Sequence, residues 1–470
     1  MNIAIAQTKY KTGDFEFNFN SITEKVNQTD ADLVIFPEAD LYDIGGRDLL
    51  LDSKVQECQI QFYDRLAQKQ FDKAILIGDI LIRNGEVIVS EDGFFDINGE
   101  KVYVADEYSD DVICDLYVLA KNSYFAIDKY TEFVESINTN NNFVYINALG
   151  IADYNVFAGG SFAKNRENEI TMQAPLCKEF ISKVDFSAPT EFKEVPMEQQ
   201  VIDVTTFALK EYCENTGIKK VVLGLSGGID SALTAALAVK ALGSENVFGI
   251  MMPSMYSSDG SVLDSVELAN NLGIRTEKHS ITPLFENFME KIAHEKKGDL
   301  AEENLQARLR ALILMFFSNR GGYLLLSTGN KSESAMGFGT LYGDLAGGYN
   351  MICDLTKTNV YKVANYINKD GEIIPQAIID KAPSAELHPG QKDQDRLPEY
   401  AILDDIIEMY FEQNIPAEEI YKKYNKPVVD EVIKKTYRMA YKRKQCCIGT
   451  RLTERSFLAG IDLPIVQKFY

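Results

Sequence analysis

The sequence predicts an α/β protein whose C-terminal part forms a doubly wound parallel sheet. Two observations lead there. Apolar strand-like runs alternate with helix-forming stretches from about residue 199 onward, and one such run passes through a serine- and glycine-rich turn straight into a helix. The order is KKVVLGL, a helix, NVFGIMM, a helix from Ser261 to Leu272, the strand-like RTEKHSI, a long helix through Arg310 to Phe317, and YLLLSTG. Upstream, the stretch SAPTEFKEVPMEQ places two prolines between the apolar strand Glu179 to Val184 and a helix beginning around Gln199. A chain of 470 residues has room for two or three full cores. The expected division is a first domain over 1–187, a linker over 188–199 and a second domain over 200–470.

The turn in the second domain carries the chemistry. Val221 to Leu225 are apolar, as a strand buried on both faces should be, and Ala232 to Leu242 are good helix formers. Between them, Gly227 and Gly228 bring no side chain, so backbone N–H groups can close on phosphate oxygens. Ser226 and Ser231 add hydroxyl donors, the helix N-terminus adds partial positive charge, and Asp230 offers a hard oxygen to magnesium. The loop lacks a Gly-Lys-Ser or Gly-Lys-Thr ending, so no lysine of its own reaches a γ-phosphate. A glycine pair alone also reads as a plain tight turn. Six residues in this order instead resemble the SGGxDS loop of the ATP pyrophosphatases, which implies ATP cleaved at its α-phosphate to give an adenylated substrate and pyrophosphate.

Downstream segments narrow the acceptor. ENLQARLRALILMFFSN leads to LLLSTGNKSESAMGFGTLYGDLAGGYNMICDLTKTNVY, then PSAELHPGQKDQDRLPEY over Pro383 to Tyr400 and a YKRKQCCIGTRLTERSF tail. Together they resemble the NAD synthetases over essentially all of 197–470. The resemblance implies an adenine nucleotide α-hydrolase-like sheet, ATP and deamido-NAD as substrates, Mg2+ as cofactor, and a segment from Pro383 that moves over the site. Carried over by position, Ser226, Gly227, Gly228, Asp230, Ser231, Thr328, Lys357 and Ser384 would bind ATP, with Asp230 and Lys357 catalytic. Asp230 and Glu333 would hold the metal. Asn304, Arg308, Glu333, Asp344 and Lys442 would hold deamido-NAD. As lesser alternatives, Arg308 and Lys442 read as surface charges, and Lys357 with Glu333 as a structural ion pair. His279, His294 and His388 form no catalytic arrangement visible in the sequence.

Composition sets outer limits. A net charge of −22 argues against non-specific binding to nucleic acid or an anionic membrane. Seven cysteines with no CxxC spacing suit a reducing cytoplasm, and the longest apolar run, Ala311 to Phe317, is too short to span a bilayer. The expectation is a cytoplasmic enzyme, at least a homodimer, in line with the resemblance.

The first domain resembles the nitrilase-type glutaminases, α/β sandwiches that supply ammonia to longer NAD synthetases. MNIAIAQ opens like that fold, and ADLVIFPEADLYDIGGRDLLL and DYNVFAGGSFAKN match later segments. Such a site needs a glutamate base, a lysine and a cysteine nucleophile. Glu38 takes the glutamate position. The cysteine motif finds its counterpart in VADEY, which puts Ala105 where the nucleophile belongs, and the lysine loop between Ile82 and Lys101 reads as deleted. The expectation is therefore a degenerate glutaminase domain and an enzyme fed by free ammonia. Three alternatives stay open: glutamine use through Cys114 in VICDLY, a first domain that serves as a docking or regulatory module, and a chain that only senses dinucleotides.

Overall fold

The structure, a computed structural model, describes residues 1–39, 44–127, 129–388 and 390–470 and divides into two compact units, Met1–Val204 and Thr205–Tyr470. Residues 40–43, within the first segment matched to the glutaminases, and residue 389, within the Pro383 to Tyr400 segment, lie outside the described residues.

The first unit contains two six-stranded sheets. One runs in the order Phe180–Val184, Ile3–Gln7, Leu33–Phe36, Ala74–Ile77, Ile80–Arg83, Glu86–Val89. Its three strands Ile3–Gln7, Leu33–Phe36 and Ala74–Ile77 are parallel and buried along their whole length. That is why they read as unbroken apolar runs. The other sheet runs in the order Ile170–Gln173, Phe162–Lys164, Asn142–Ile146, Leu116–Ala120, Glu100–Ala105, Phe94–Ile97. Alternate residues of each strand point to opposite faces. Ile5, Leu33 and Leu76 from one sheet thus meet Val104, Val118 and Val144 from the other in a shared core.

The outer face of the first sheet is covered by helices Phe15–Asn27 and Ser53–Gln68, through Phe19, Ile22, Phe62 and Leu66. Helix Lys129–Ser136 covers the second sheet through Val134. Helix, sheet, sheet, helix is the nitrilase-like α/β sandwich. Two hairpins fill the segment from Ile82 to Lys101: Ile80–Arg83 with Glu86–Val89, and Phe94–Ile97 with Glu100–Ala105.

Helix Met197–Thr216 leads into the second unit. There, five parallel strands lie in the order Arg275–Lys278, Val247–Met251, Lys220–Gly224, Tyr323–Ser327, Tyr349–Asn350. The chain builds outward from Lys220–Gly224 to one edge and returns to build the other side. The crevice where that reversal occurs is where α/β sheets bind ligands. Helices Lys331–Met336, Tyr400–Ile407 and Lys426–Arg438 share a separate core around Leu403, Ile406 and Val432. Among the described residues, no helix is long and apolar enough to cross a membrane.

Candidate active site

Strand Lys220–Gly224 ends at the reversal point, and helix Ile229–Leu242 starts beyond the turn with Gly228 at its N-cap. Glycine brings no capping side chain, which leaves the first-turn N–H groups available to an anion. Gly227 has φ +76°, and a Cβ there would stand 2.4 Å from the Ser261 carbonyl oxygen, so only glycine fits without displacing backbone. The two serines brace the turn. Their hydroxyls lie 3.0 Å apart, Ser226 Oγ accepts the Gly228 N–H at 3.2 Å, and Ser231 Oγ donates to the Gly228 carbonyl at 3.0 Å.

Asp230, in the first turn of that helix, is held from two sides. Asn330 Nδ2 donates to its Oδ1 at 2.9 Å, and the Lys357 ammonium pairs with its Oδ2. Lys357 also reaches Glu333 Oε1 at 3.5 Å, and its side chain is only 2% exposed. Asn330 caps helix Lys331–Met336 in a reciprocal box with Glu333, the pattern of an N-cap side chain three residues before a glutamate. One ammonium between two carboxyl groups can offset only one negative charge. Burial, and then Asp230, push the Glu333 carboxyl up to about 8. Burial alone would pull the Lys357 ammonium down, but Asp230 and Glu333 outweigh it and push it up.

Two carboxyl groups that share a single ammonium beside an anion-binding turn fit a divalent cation shared with phosphate oxygens, which would take the place of the Glu333 proton. Among the described residues, no group of three or more His, Cys, Asp or Glu side chains is arranged to hold a metal by itself. Phosphate and water would therefore complete the coordination.

Next to this cluster a cavity opens whose walls include Ser226, Asn304, Thr328, Asp344, Ser384 and Lys442. Much of one wall is the loop from Gly337 to Asp344. Thr340 Oγ1 donates to Asn304 Oδ1 at 2.7 Å, the Thr340 N–H donates to Asp344 Oδ1 at 2.8 Å, and Lys442 Nζ donates to the carbonyls of Gly337 and Gly339 at 2.8 and 2.7 Å. Arg308 reaches the same loop from outside the cavity, donating from Nε to the Leu341 carbonyl at 3.2 Å. The Pro383 to Tyr400 segment is docked: Glu386 accepts from the Ser258 and Ser261 hydroxyls, and Arg396 makes two 2.9 Å bonds to Glu303.

Reading the sequence misses three residues here. Arg310 lines the cavity, its Nε bonded to the Met252 carbonyl at 3.1 Å and its guanidinium pulled down to about 10 by burial. Asn330 joins the two carboxylates, and its box with Glu333 is a signal the sequence does offer. Lys331, fully buried, pairs with Asp354 at 2.8 Å and Glu412 at 2.7 Å and donates to Thr453 Oγ1 at 2.8 Å.

In the first unit the glutaminase candidates stand apart. Asn122 Nδ2 donates to the Glu38 backbone carbonyl at 2.8 Å, and Gly78, at φ +57°, lies so near that a Cβ there would be 2.9 Å from the Glu38 carboxyl carbon. Ala105 ends its strand, paired with Leu119, and packs against the outer cluster of the second sheet. Cys114 belongs to that same cluster, with Tyr117, Phe143 and Phe162. Burial pushes its thiol up to about 11.

Comparison with known proteins completes the picture. The family described as NAD synthase matches residues 201–446. The glutamine-dependent NAD(+) synthetase of Synechocystis is 40% identical over 339 residues, which take in 70% of this chain and 61% of that protein. The glutamine-dependent NAD(+) synthetase of Aquifex aeolicus is 34% identical over 566 aligned positions, covering 100% of both chains. The solved structure of glutamine-dependent NAD+ synthetase from Acinetobacter baumannii superposes with a TM-score of 0.74 at 30% identity, over 99% of this chain and 98% of that one.

These relatives overturn the expectation of a pseudo-glutaminase and of an ammonia-dependent enzyme, since proteins matched along the whole chain are named glutamine-dependent. The mistaken reading rested on Ala105 at the nucleophile position and on a lysine loop between Ile82 and Lys101 taken as deleted. That position came from matching VADEY residue by residue, although 566 aligned positions for 470 residues mean that insertions separate the matched segments. In such a region a position matched by a short motif alone is a weak guide to the role of a residue, and both sheets of the sandwich are present among the described residues. On the full-length matches and the family match together, this chain belongs to the NAD synthase family and is an NAD synthetase, a ligase that forms an amide bond.

Proposed function

We propose that this enzyme adenylates the nicotinate carboxylate of deamido-NAD with ATP and amidates it with nitrogen taken from glutamine. The observation that carries the proposal is the match along the whole chain to relatives named glutamine-dependent NAD(+) synthetases, and the polar cluster of the second unit supports the ATP half. The phosphates of ATP would lie on the Ser226 to Ser231 turn, with Thr328 and Ser384 at its margin. Asp230 and Glu333 would hold Mg2+, which when bound neutralises phosphate charge. Asn304, Arg308 and Lys442, which contact the Gly337 to Asp344 loop, would position deamido-NAD together with Asp344.

In the first step a carboxylate oxygen attacks the α-phosphorus and pyrophosphate leaves. The reaction needs alignment and charge neutralisation more than a protein nucleophile. Lys357 follows the charge that builds on the departing phosphates. Ammonia, released with glutamate when glutamine is hydrolysed, then attacks the acyl carbon and AMP departs. The seven cysteines are all free thiols, which supports a reducing, cytoplasmic setting, and we expect a homodimer or larger assembly.

NAD formation with ATP, deamido-NAD and either glutamine or ammonium as sole nitrogen source tests the proposal. Turnover on glutamine is expected; turnover on ammonium alone sinks it. Cys114→Ala asks a second question. Loss of glutamine use with ammonium use retained assigns the nucleophile to Cys114. The buried, raised thiol of Cys114 favours a second reading, in which the first unit docks a separate glutamine-hydrolysing protein. Under it, purified enzyme gains glutamine use only when that protein is added.

A further inference from the structure

We propose that Asn330 is a positioning residue that sets the spacing of the Asp230 and Glu333 carboxylates and so fixes how tightly they hold a divalent cation arriving with ATP. The proposal rests on the reading of that pair as cation ligands. Asn330 is fully buried, and three of its polar atoms are directed at the two acids. Nδ2 donates to Asp230 Oδ1 at 2.9 Å, Oδ1 accepts the Glu333 N–H at 3.0 Å, and its backbone N–H faces Glu333 Oε2 at 3.4 Å. The acids stand on helices that follow different strands, and Asp230 and Asn330 are 100 residues apart in sequence. This amide and the Lys357 ammonium bind the two helices together at the site.

The two links differ in kind. Lys357 cancels the charge a cation would use and so competes with it, whereas a neutral amide fixes geometry and leaves the charge intact. The amide is also firmly seated. Asn350 Nδ2 donates to the Gly329 carbonyl at 2.9 Å, and the Lys331 N–H donates to the Leu355 carbonyl at 2.9 Å, securing the backbone on either side. Asn330 therefore cannot follow Asp230 if that side chain moves, and it acts as a fixed post.

Asn330 is also an N-cap, and capping alone would be served by serine. That divides the roles experimentally, because a serine hydroxyl caps the helix but is too short to reach Asp230. Mn2+ binding to the full-length enzyme, followed by electron paramagnetic resonance with α,β-methylene-ATP, is compared for wild type, Asn330→Ser and Glu333→Gln, with melting curves confirming that each is folded. Asn330→Ser should bind Mn2+ about tenfold more weakly or worse. Wild-type affinity in Asn330→Ser would reduce Asn330 to a helix cap and overturn the proposal. Wild-type affinity in Glu333→Gln would instead remove the underlying reading of the cation site. Should Asn330→Ser not fold, Asn330→Thr, which caps and fills more of the space, decides by the same criterion.

Discussion

The two units bury polar side chains for different ends. In the first, they terminate on backbone. Gln7 Nε2 donates to the carbonyls of Pro175 and Lys178, Asn147 Nδ2 to those of Ser123 and Gly159, and Lys164 Nζ to those of Val134 and Ile137. In the second, beside others that also reach backbone, one charged set terminates on itself: Asp230 on Asn330 and Lys357, Lys357 on Glu333, Lys331 on Asp354 and Glu412. Side chains that satisfy backbone lock a fold and leave little field behind. Charges that satisfy charges leave a residue of field wherever the count is uneven, and at Asp230, Glu333 and Lys357 it is even only while Glu333 keeps its proton.

The largest expected effect follows from removing the one cation of that cluster. Lys357→Ala should lower kcat/KM by about a thousandfold, and it strands the half-buried Asp230 carboxylate at a stability cost of up to about 3–5 kcal/mol. Steady-state kinetics and urea melts measure the two. A variant with near-normal turnover would erase the distinction between the units. Gly227→Ala comes next. Its Cβ collides with the Ser261 carbonyl and its backbone must hold a positive φ, a strain of about 1–3 kcal/mol, so KM for ATP should rise by about tenfold or more while ATP-independent folding signals persist.

A third expectation concerns pH. The Glu333 carboxyl, raised to about 8 from an ordinary 4.5 by burial and by Asp230, stays protonated in the folded protein over a range where the unfolded chain has released its proton. Stability of the magnesium-free protein should therefore fall as pH rises through that window. Melting temperatures between pH 5 and pH 8 should show the decline in wild type and a flatter profile in Glu333→Gln. The smallest effect belongs to the first unit. With its thiol at about 11 against an ordinary 9.0, Cys114 should alkylate about 100-fold more slowly than a free thiol at neutral pH, and mass spectrometry of iodoacetamide-treated protein reads this directly. Rapid labelling of Cys114 in the folded enzyme would bring the units closer together than their packing suggests.

Local signals carried much of this. Most of the parallel strands are short apolar runs bounded by turns, Arg275–Lys278 being the polar exception, and the Ser226 to Ser231 loop states its own geometry because Gly227 sits where a side chain would collide. Asn330 was legible in principle, since asparagine three residues before glutamate at a helix start marks a cap. Its bond to Asp230 was not, because nothing local records a partner 100 residues away. Arg310 escaped notice because helix Leu300–Gly321 has apolar residues around most of its circumference, which leaves the cavity-facing stripe unmarked. The glutaminase reading failed for the opposite reason: a local motif was trusted where the chain and its relatives differ in length.

Lys331 has a consequence for how the protein is made. Its ammonium is enclosed by partners at 354, 412 and 453, the last of them 122 residues downstream. Enclosing it before those partners exist would leave a bare cation in the interior. On a ribosome, that enclosure must therefore wait for the charged partners Asp354 and Glu412 to emerge, and a nascent chain halted short of that point would carry the phosphate-binding loop without a finished site behind it.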